Sequence, residues 1–202
     1  MLGRHHILAT TSTGLAGLYG LYHLNQNVDM ESWQGTLVQV FTDTIGISNA
    51  MDRFSLITVL VICTLGLILG SLLPDIDSKN SILGRYVPFM EDIIGHRGIT
   101  HTIWVILLLF LGAYFVSNLF VWMVVFGYFF HVLQDSFSRQ GVAWIYPLGK
   151  GYRSYGNAKI KEGFHIPLYR VGSVTEYIIV GIFLVLLGWS VFKWFIVLSN
   201  VM

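Results

Sequence analysis

Polar residues fall into a few short clusters along this chain, and the apolar stretches between them have the lengths of membrane spans. Residues 54–73 (FSLITVLVICTLGLILGSLL) carry no charge and reach the about 20 mostly apolar residues that a spanning helix needs. A second apolar run, 102–135, is too long for one span, and Ser117-Asn118 near its middle supplies turn chemistry. The run therefore predicts two helices, 102–116 and 119–134, folded as a tight hairpin. A further span is predicted over 173–198, with Lys193 able to snorkel near its end. The first stretch, 7–24 (ILATTSTGLAGLYGLYHL), is less apolar, and its Gly14, Gly17 and Gly20 form a small-residue stripe suited to close helix packing. A removed signal peptide is the rival reading, but the stretch is rich in Thr and Gly and no clear A-x-A site follows. The pattern predicts an all-α, polytopic membrane protein of about five transmembrane helices, in one membrane-embedded domain covering 1–202.

Composition supports the same class. The chain is 54% hydrophobic and 11% charged, with a mean hydropathy of +0.67, where a soluble domain carries roughly 25% charged residues. Such a chain needs lipid or a large partner around it. Its formal net charge of +1 gives no reason to expect a nucleic-acid partner. The single cysteine, Cys63, lies in an apolar run, which excludes an internal disulfide framework and a Cys-rich zinc site.

Charge placement predicts orientation. Segment 26–53 holds Asp29, Glu31, Asp43 and Asp52 against one arginine, Arg53. Segment 74–100 holds Lys79, Arg85 and Arg97, and 137–172 holds Arg139, Lys150, Arg153, Lys159, Lys161 and Arg170. Lys and Arg concentrate on the cytoplasmic side. Five alternating spans then put the N-terminus and both basic segments inside and the C-terminus outside.

The chemistry sits at the ends of these spans. The second ends in LLPDIDSKNS, where Pro74 stops the helix and Asp75 and Asp77 follow. In extended backbone that spacing puts both carboxylates on one side; a polar cap is the plainer alternative. GHRGITHT, 95–102, places His96, Arg97 and His101 at the mouth of the third span. Histidine is the commonest metal ligand, and an arginine fork can clamp a phosphate or carboxylate. The fourth span ends in GYFFHVLQDSF, with His131 and Asp135 four apart on one helix face. Ionisable groups in a span usually face a protein interior or wet cavity. His6, beside His5, precedes the first span, and Glu176 opens the fifth, where helix capping is the plainer role. His165 is expected at the surface and His23 at the other interface.

Under alternating topology these residues converge on one membrane face. We expect a metal set of His6, Asp75, Asp77, His101, His131 and Asp135. Oxygen and imidazole ligands without thiolate suit a divalent ion, zinc first and manganese or iron as alternatives. The supply exceeds one tetrahedral ion, so one or two ions are expected. At headgroup level such a site suits hydrolysis of a phosphoester or ester of a membrane lipid or related amphiphile. Asp75 or Asp77 is then a general base, and His96 and Arg97 orient or stabilise the leaving group. Arg97 and the basic 137–172 segment would attract an anionic headgroup, with Trp144 and Tyr146 shaping its pocket. The alternative is a non-catalytic transporter or scaffold with a structural metal site. A cation carrier should hold its ionisable groups near the midplane, whereas these lie at helix mouths. No H-E-x-x-H occurs, which argues against an intramembrane zinc protease.

At LLPDIDSKNSILGR (72–85), GHRGITHT (95–102) and GYFFHVLQDSFSRQGVAWIYP (127–147) the sequence resembles the YdjM-type family, inner-membrane-associated metal-dependent hydrolases linked to LexA regulation in bacteria. The family's N-terminal His before an apolar run matches His6, so the resemblance covers about residues 6–147. It implies a multi-pass protein of the bacterial cytoplasmic (inner) membrane and a hydrolase activity. Ser78 departs from it, since family members can carry His after the second Asp. A fainter similarity is to zinc-dependent phospholipase C, whose ligand order matches His6, Asp75 or Asp77, His101, His131 and Asp135 at different intervals. That similarity leans towards phosphodiester chemistry.

Overall fold

The computed structural model describes residues 3–27, 51–94, 97–148, 166 and 168–201, with isolated positions 32, 34, 35, 39, 42 and 43. Its helices are α1 (Gly3–Asn27), α2 (Arg53–Leu72), the short α3 (Phe89–Ile94), α4 (Ile103–Val116), α5 (Leu119–Ser136) and α6 (Val174–Asn200). Single 3-10 turns at Pro74–Asp77, Gly84–Tyr86 and Ile99–His101 connect them. The ends follow local chemistry. Asp52 accepts from the Ser55 N–H at 3.2 Å and starts α2, Asn118 accepts from Val121 N–H and starts α5, and Ser173 caps α6. Ser117 takes the left-handed conformation (φ 48°) that closes α4 and turns the chain into α5.

Three stretches are long and apolar enough to cross a membrane: Arg53–Asp77, Leu119–Ser136 and Val174–Asn200. The other two expected spans fall short for different reasons. α4 is apolar but has 14 residues, about 21 Å at ~1.5 Å per residue against a hydrocarbon core of about 30 Å. α1 has 25 residues but is too polar, because one face is buried in protein rather than lipid. Ala9, Thr10 and Ser12 are fully buried. Thr11, Ser12 and Thr13 each donate their hydroxyl to the carbonyl four residues earlier, which removes the cost of carrying them in an apolar setting.

α2 packs most closely on α5, and α1 on α6 and α2. The α2–α5 crossing depends on glycine. A Cβ at Gly70 would lie 2.0 Å from the Val124 carbonyl oxygen, one at Gly127 2.5 Å from that of Leu67, and one at Gly66 2.6 Å from Met123 Cβ. The expected α1 stripe is only partly used: Gly14 lies against Leu67, whereas Gly17 and Gly20 meet no neighbour. Leu18, Tyr22, Leu56, Cys63, Leu67, Met123 and Trp194 fill the core between α1, α2, α5 and α6, and Cys63 is a buried free thiol. A second cluster, with Ile106, Tyr128, Val132 and Val142, holds α4 against α5 and the segment that follows it. Outward faces such as Leu107, Leu108 and Phe115 on α4 and Val185 and Phe195 on α6 are exposed and apolar, the surface a lipid-facing helix presents.

A candidate metal centre at the helix mouths

The start of α1, the turn after α2, the turn before α4, the end of α5 and the start of α6 come together. His6, His101, His131 and Asp135 are almost fully buried there, and Asp75 is partly exposed. Ligand atoms of His6, His131 and Asp135 lie within 4.8 Å of one another, as do those of Asp75, His101 and His131. His131 belongs to both sets. Its ring stacks on His6 (centroids 4.0 Å apart) and meets His101 edge-on (5.6 Å).

The hydrogen bonds behind the rings settle which nitrogen faces inward. His131 Nδ1 lies 2.6 Å from the Ser71 carbonyl oxygen, which only accepts, so Nδ1 carries a proton and Nε2 is the nitrogen left to face the pocket. Gln134 donates its amide to Thr10 Oγ1 at 3.0 Å, leaving its carbonyl oxygen to accept from His6 Nδ1 at 2.9 Å. Thr100 donates its hydroxyl to Asp77 Oδ2, so its oxygen accepts from His101 Nδ1 at 3.0 Å. Outer partners of this kind orient metal-ligating imidazoles. All three imidazoles therefore turn Nε2 into the pocket. His6 Nε2 is 3.2 Å from Asp135 Oδ1, His101 Nε2 is 3.6 Å from Asp135 Oδ2, and His131 Nε2 is 3.5 Å from Asp75 Oδ1.

Those separations fit a cation. Lone pairs of neutral imidazoles facing carboxylate oxygens repel unless a proton or metal ion lies between them. Ligand atoms about 2.0–2.1 Å from a tetrahedral ion stand roughly 3.3 Å apart. His131 Nε2 is buried and makes no hydrogen bond, as expected of an atom reserved for an ion. The donor set, three imidazoles and two carboxylates without thiolate, suits zinc, manganese or iron.

The remaining expected site residues divide. Asp75 and Asp77 are not on one side of an extended strand: Pro74–Asp77 is a 3-10 turn, and the two carboxylates diverge. Asp75 reaches His131, while Asp77 is fully buried behind His101, accepting from the Arg97 backbone N–H (3.0 Å) and from Thr100. Arg97 is buried with φ 59°. Its guanidinium binds Asp135 Oδ2 at 2.8 Å and Ser138 Oγ at 2.9 Å, so the carboxylate it clamps belongs to this chain. His96 and His165 lie outside the described residues. His23 is exposed at the far end of α1. Trp144 donates its indole N–H to Ser136 Oγ at 2.9 Å and packs beside Val142.

Sequence reasoning missed Gln134, Thr100 and Ser138, and it underrated Glu176. Glu176 is fully buried, accepts from Gly172 N–H at 2.6 Å and lies 2.8 Å from His5 Nδ1. Ser173-x-x-Glu176 was the available signal, since a Ser/Thr-x-x-Glu box places its Glu back against the helix start. Tyr169, on the segment leading into α6, donates to the Gln134 backbone carbonyl oxygen at 3.0 Å. Burial, and next to it the Asp135 charge, pushes its hydroxyl well above the usual tyrosine value.

Fold and site thus define a helical membrane protein whose helix mouths gather a buried His/Asp cluster of metal-ligating type. Residues 1–198 match the YdjM inner membrane protein family, and the chain belongs to that family. Comparison with curated proteins and with solved structures gave no match.

Proposed function

We propose that this protein is a metal-dependent hydrolase of the inner membrane, acting on a phosphoester or ester of a membrane lipid or related amphiphile. The observation that carries the reading is the set of three imidazole Nε2 atoms turned on two carboxylates at the helix mouths, with Asp75 alone reaching outward. Its side chain is 15% exposed, while those of His6, His101, His131 and Asp135 are at most 1% exposed. His6, His101, His131, Asp135 and Asp75 hold one or two divalent ions, zinc first and manganese or iron as alternatives. A bound ion there supplies Lewis acidity toward a phosphoryl or carbonyl oxygen and makes water a stronger acid. Asp75, at the accessible edge, takes the proton from attacking water. Arg97 is a positioning residue that fixes Asp135, and Asp77 fixes His101 through Thr100. His96, beside Arg97 in sequence, is the candidate for steadying the leaving group. The chain crosses the membrane several times with its N-terminus and site on the cytoplasmic face, where Arg85, Arg139 and Arg170 favour anionic headgroups.

The test is phospholipid hydrolysis by purified protein in mixed micelles, with and without chelator. We expect chelator-sensitive turnover restored by zinc, and an Asp75→Asn variant that binds metal more weakly and, once saturated with zinc, is still roughly 10²–10⁴-fold slower. One observation favours a second reading: four of the five ligand side chains are sealed, as in a closed structural metal site. That reading wins if the metal-loaded protein hydrolyses no ester or phosphoester while chelation lowers its melting temperature.

A further inference from the structure

Between Asp77 and Arg97, residues 79–93 make a compact excursion that the metal cluster does not use. Its two ends are tied together: Lys79 N–H donates to Glu91 Oε2 at 2.6 Å, and Lys79 Nζ pairs with Asp92. Inside it, Ser81 N–H bonds the Ser78 carbonyl and Gly84 N–H bonds Ser81 Oγ. A Cβ at Gly84 would lie 2.0 Å from the Ser78 oxygen, so only glycine allows that approach. Ser81 Oγ also donates to the Asp75 carbonyl oxygen at 2.6 Å, fixing the excursion to the turn that ends the span.

A segment so well held by its own polar bonds would be expected to hide its apolar side chains. It does the opposite. Ile82, Tyr86, Phe89 and Ile93 are 39%, 73%, 56% and 61% exposed, and none joins a buried cluster. Arg85 lies 5.1 Å from the centre of the Tyr86 ring. A tyrosine carrying a cation is the pairing favoured at headgroup level. The segment begins where the span Arg53–Asp77 ends, and Leu65 and Leu69 in the last turns of that span are exposed and apolar. Ile99, just before α4, and Trp104, at its start, are exposed and apolar as well.

We propose that residues 79–93 form an interfacial collar, with Ile82, Tyr86, Phe89 and Ile93 inserted among the headgroups and upper acyl chains and the Lys79–Asp92 pair left in water. Lipid is the occupant because the exposed apolar side chains follow directly on the end of an apolar span, and Arg85, set beside the Tyr86 ring, supplies a cation for anionic headgroups. The collar rests on exposure and continuity alone, so it stands whether or not the metal centre hydrolyses anything.

The test uses full-length protein in vesicles of phosphatidylcholine and phosphatidylglycerol. In a Cys63→Ala background, single substitutions Tyr86→Cys, Phe89→Cys, Ile93→Cys and Asp92→Cys carry a nitroxide label, with Leu108→Cys as the hydrocarbon reference. These side chains are exposed, so the labels leave the core intact, and circular dichroism checks the fold. Labels at 86, 89 and 93 should collide several-fold more with oxygen than with a water-soluble nickel chelate, and the label at 92 should do the reverse. Equal nickel access at 89 and 92 would overturn the collar. Protection of 86, 89 and 93 from both agents that is relieved by diluting protein in lipid would also overturn it, because a second copy would then be the cover. Metal content and lipid hydrolysis do not enter this readout.

Discussion

Asp75 and Asp77 are chemically identical and two positions apart, yet the turn between them gives them different surroundings. In a 3-10 turn, side chains two apart diverge instead of aligning, so Asp75 meets the Nε2 side of His131 while Asp77 reaches His101 on its Nδ1 side. This leads to a graded expectation for metal binding. His131→Ala removes the nitrogen shared by both ligand sets, and the purified variant should retain no metal by elemental analysis although it still inserts. Asp135→Asn should do the same. The amide is preferred to alanine because it keeps a partner for buried Arg97, whose isolation would cost roughly 3–5 kcal/mol. Asp77→Asn and Gln134→Leu should weaken metal affinity about 10–100-fold without abolishing it, the usual effect of losing an outer partner. Competition with a chromophoric chelator measures this, and full occupancy of His131→Ala would defeat the ligand assignment. The residue types and their convergence were legible in the sequence because imidazoles and carboxylates at span ends are rare and costly. The layer behind them was not. Nothing about Gln134 or Thr100 in a linear string shows that they turn His6 and His101 inward, and the direction of Asp77 is set by the 3-10 turn Pro74–Asp77.

Helix pairs bring those residues together, and the decisive pair is α2 with α5. Asp75 follows α2 and His131 lies near the end of α5, so their approach requires the two backbones to come close. Gly66, Gly70 and Gly127 permit it, with backbone atoms where a methyl group would otherwise sit. Gly70→Val should therefore destabilise the protein by roughly 1–3 kcal/mol and weaken metal binding, because pushing the helices apart separates Asp75 from His131. Gly188→Ala on α6, where nothing lies within 4 Å, should change neither. Thermal unfolding in detergent compares the two, and equal melting temperatures would show that the crossing tolerates a side chain. Sequence patterning identified every long helix among the described residues to within a few residues, since uninterrupted apolar runs and the Ser117-Asn118 break are strong signals. It picked the wrong glycines to emphasise. The i, i+3, i+6 stripe of α1 is visible as a pattern, whereas Gly66, Gly70 and Gly127 matter only because of what stands opposite them.

For the whole molecule, the cluster itself constrains the path of the chain. α1 leaves the site, α2 returns to it, α4 leaves, α5 returns and α6 leaves, because the site takes residues from the start of α1, α4 and α6 and from the end of α5 and the turn after α2. That alternation survives the question left by the 14-residue α4. Whether the α4–α5 hairpin crosses fully or turns back at Ser117-Asn118 inside the far leaflet, it comes back to the side it left. The polar groups at its tip suit either depth: Ser117 donates to the Tyr114 carbonyl and Asn118 accepts from Val121 N–H. α6, at 27 residues about 40 Å long, is long enough to carry the C-terminus to the opposite face from the N-terminus, as the proposed topology requires. In the orientation proposed above, Arg4, Arg85, Arg139 and Arg170 lie with the site on the cytoplasmic face. A phosphatase fused after Met202 should thus be active outside, and a fluorescent protein fused there should stay dark. The reverse pattern would turn the molecule over and put the metal centre outside without disturbing its geometry. A C-terminus on the same side as the N-terminus would instead mean that α6 does not cross, because the five chain positions at the site already share one face by the start of α6.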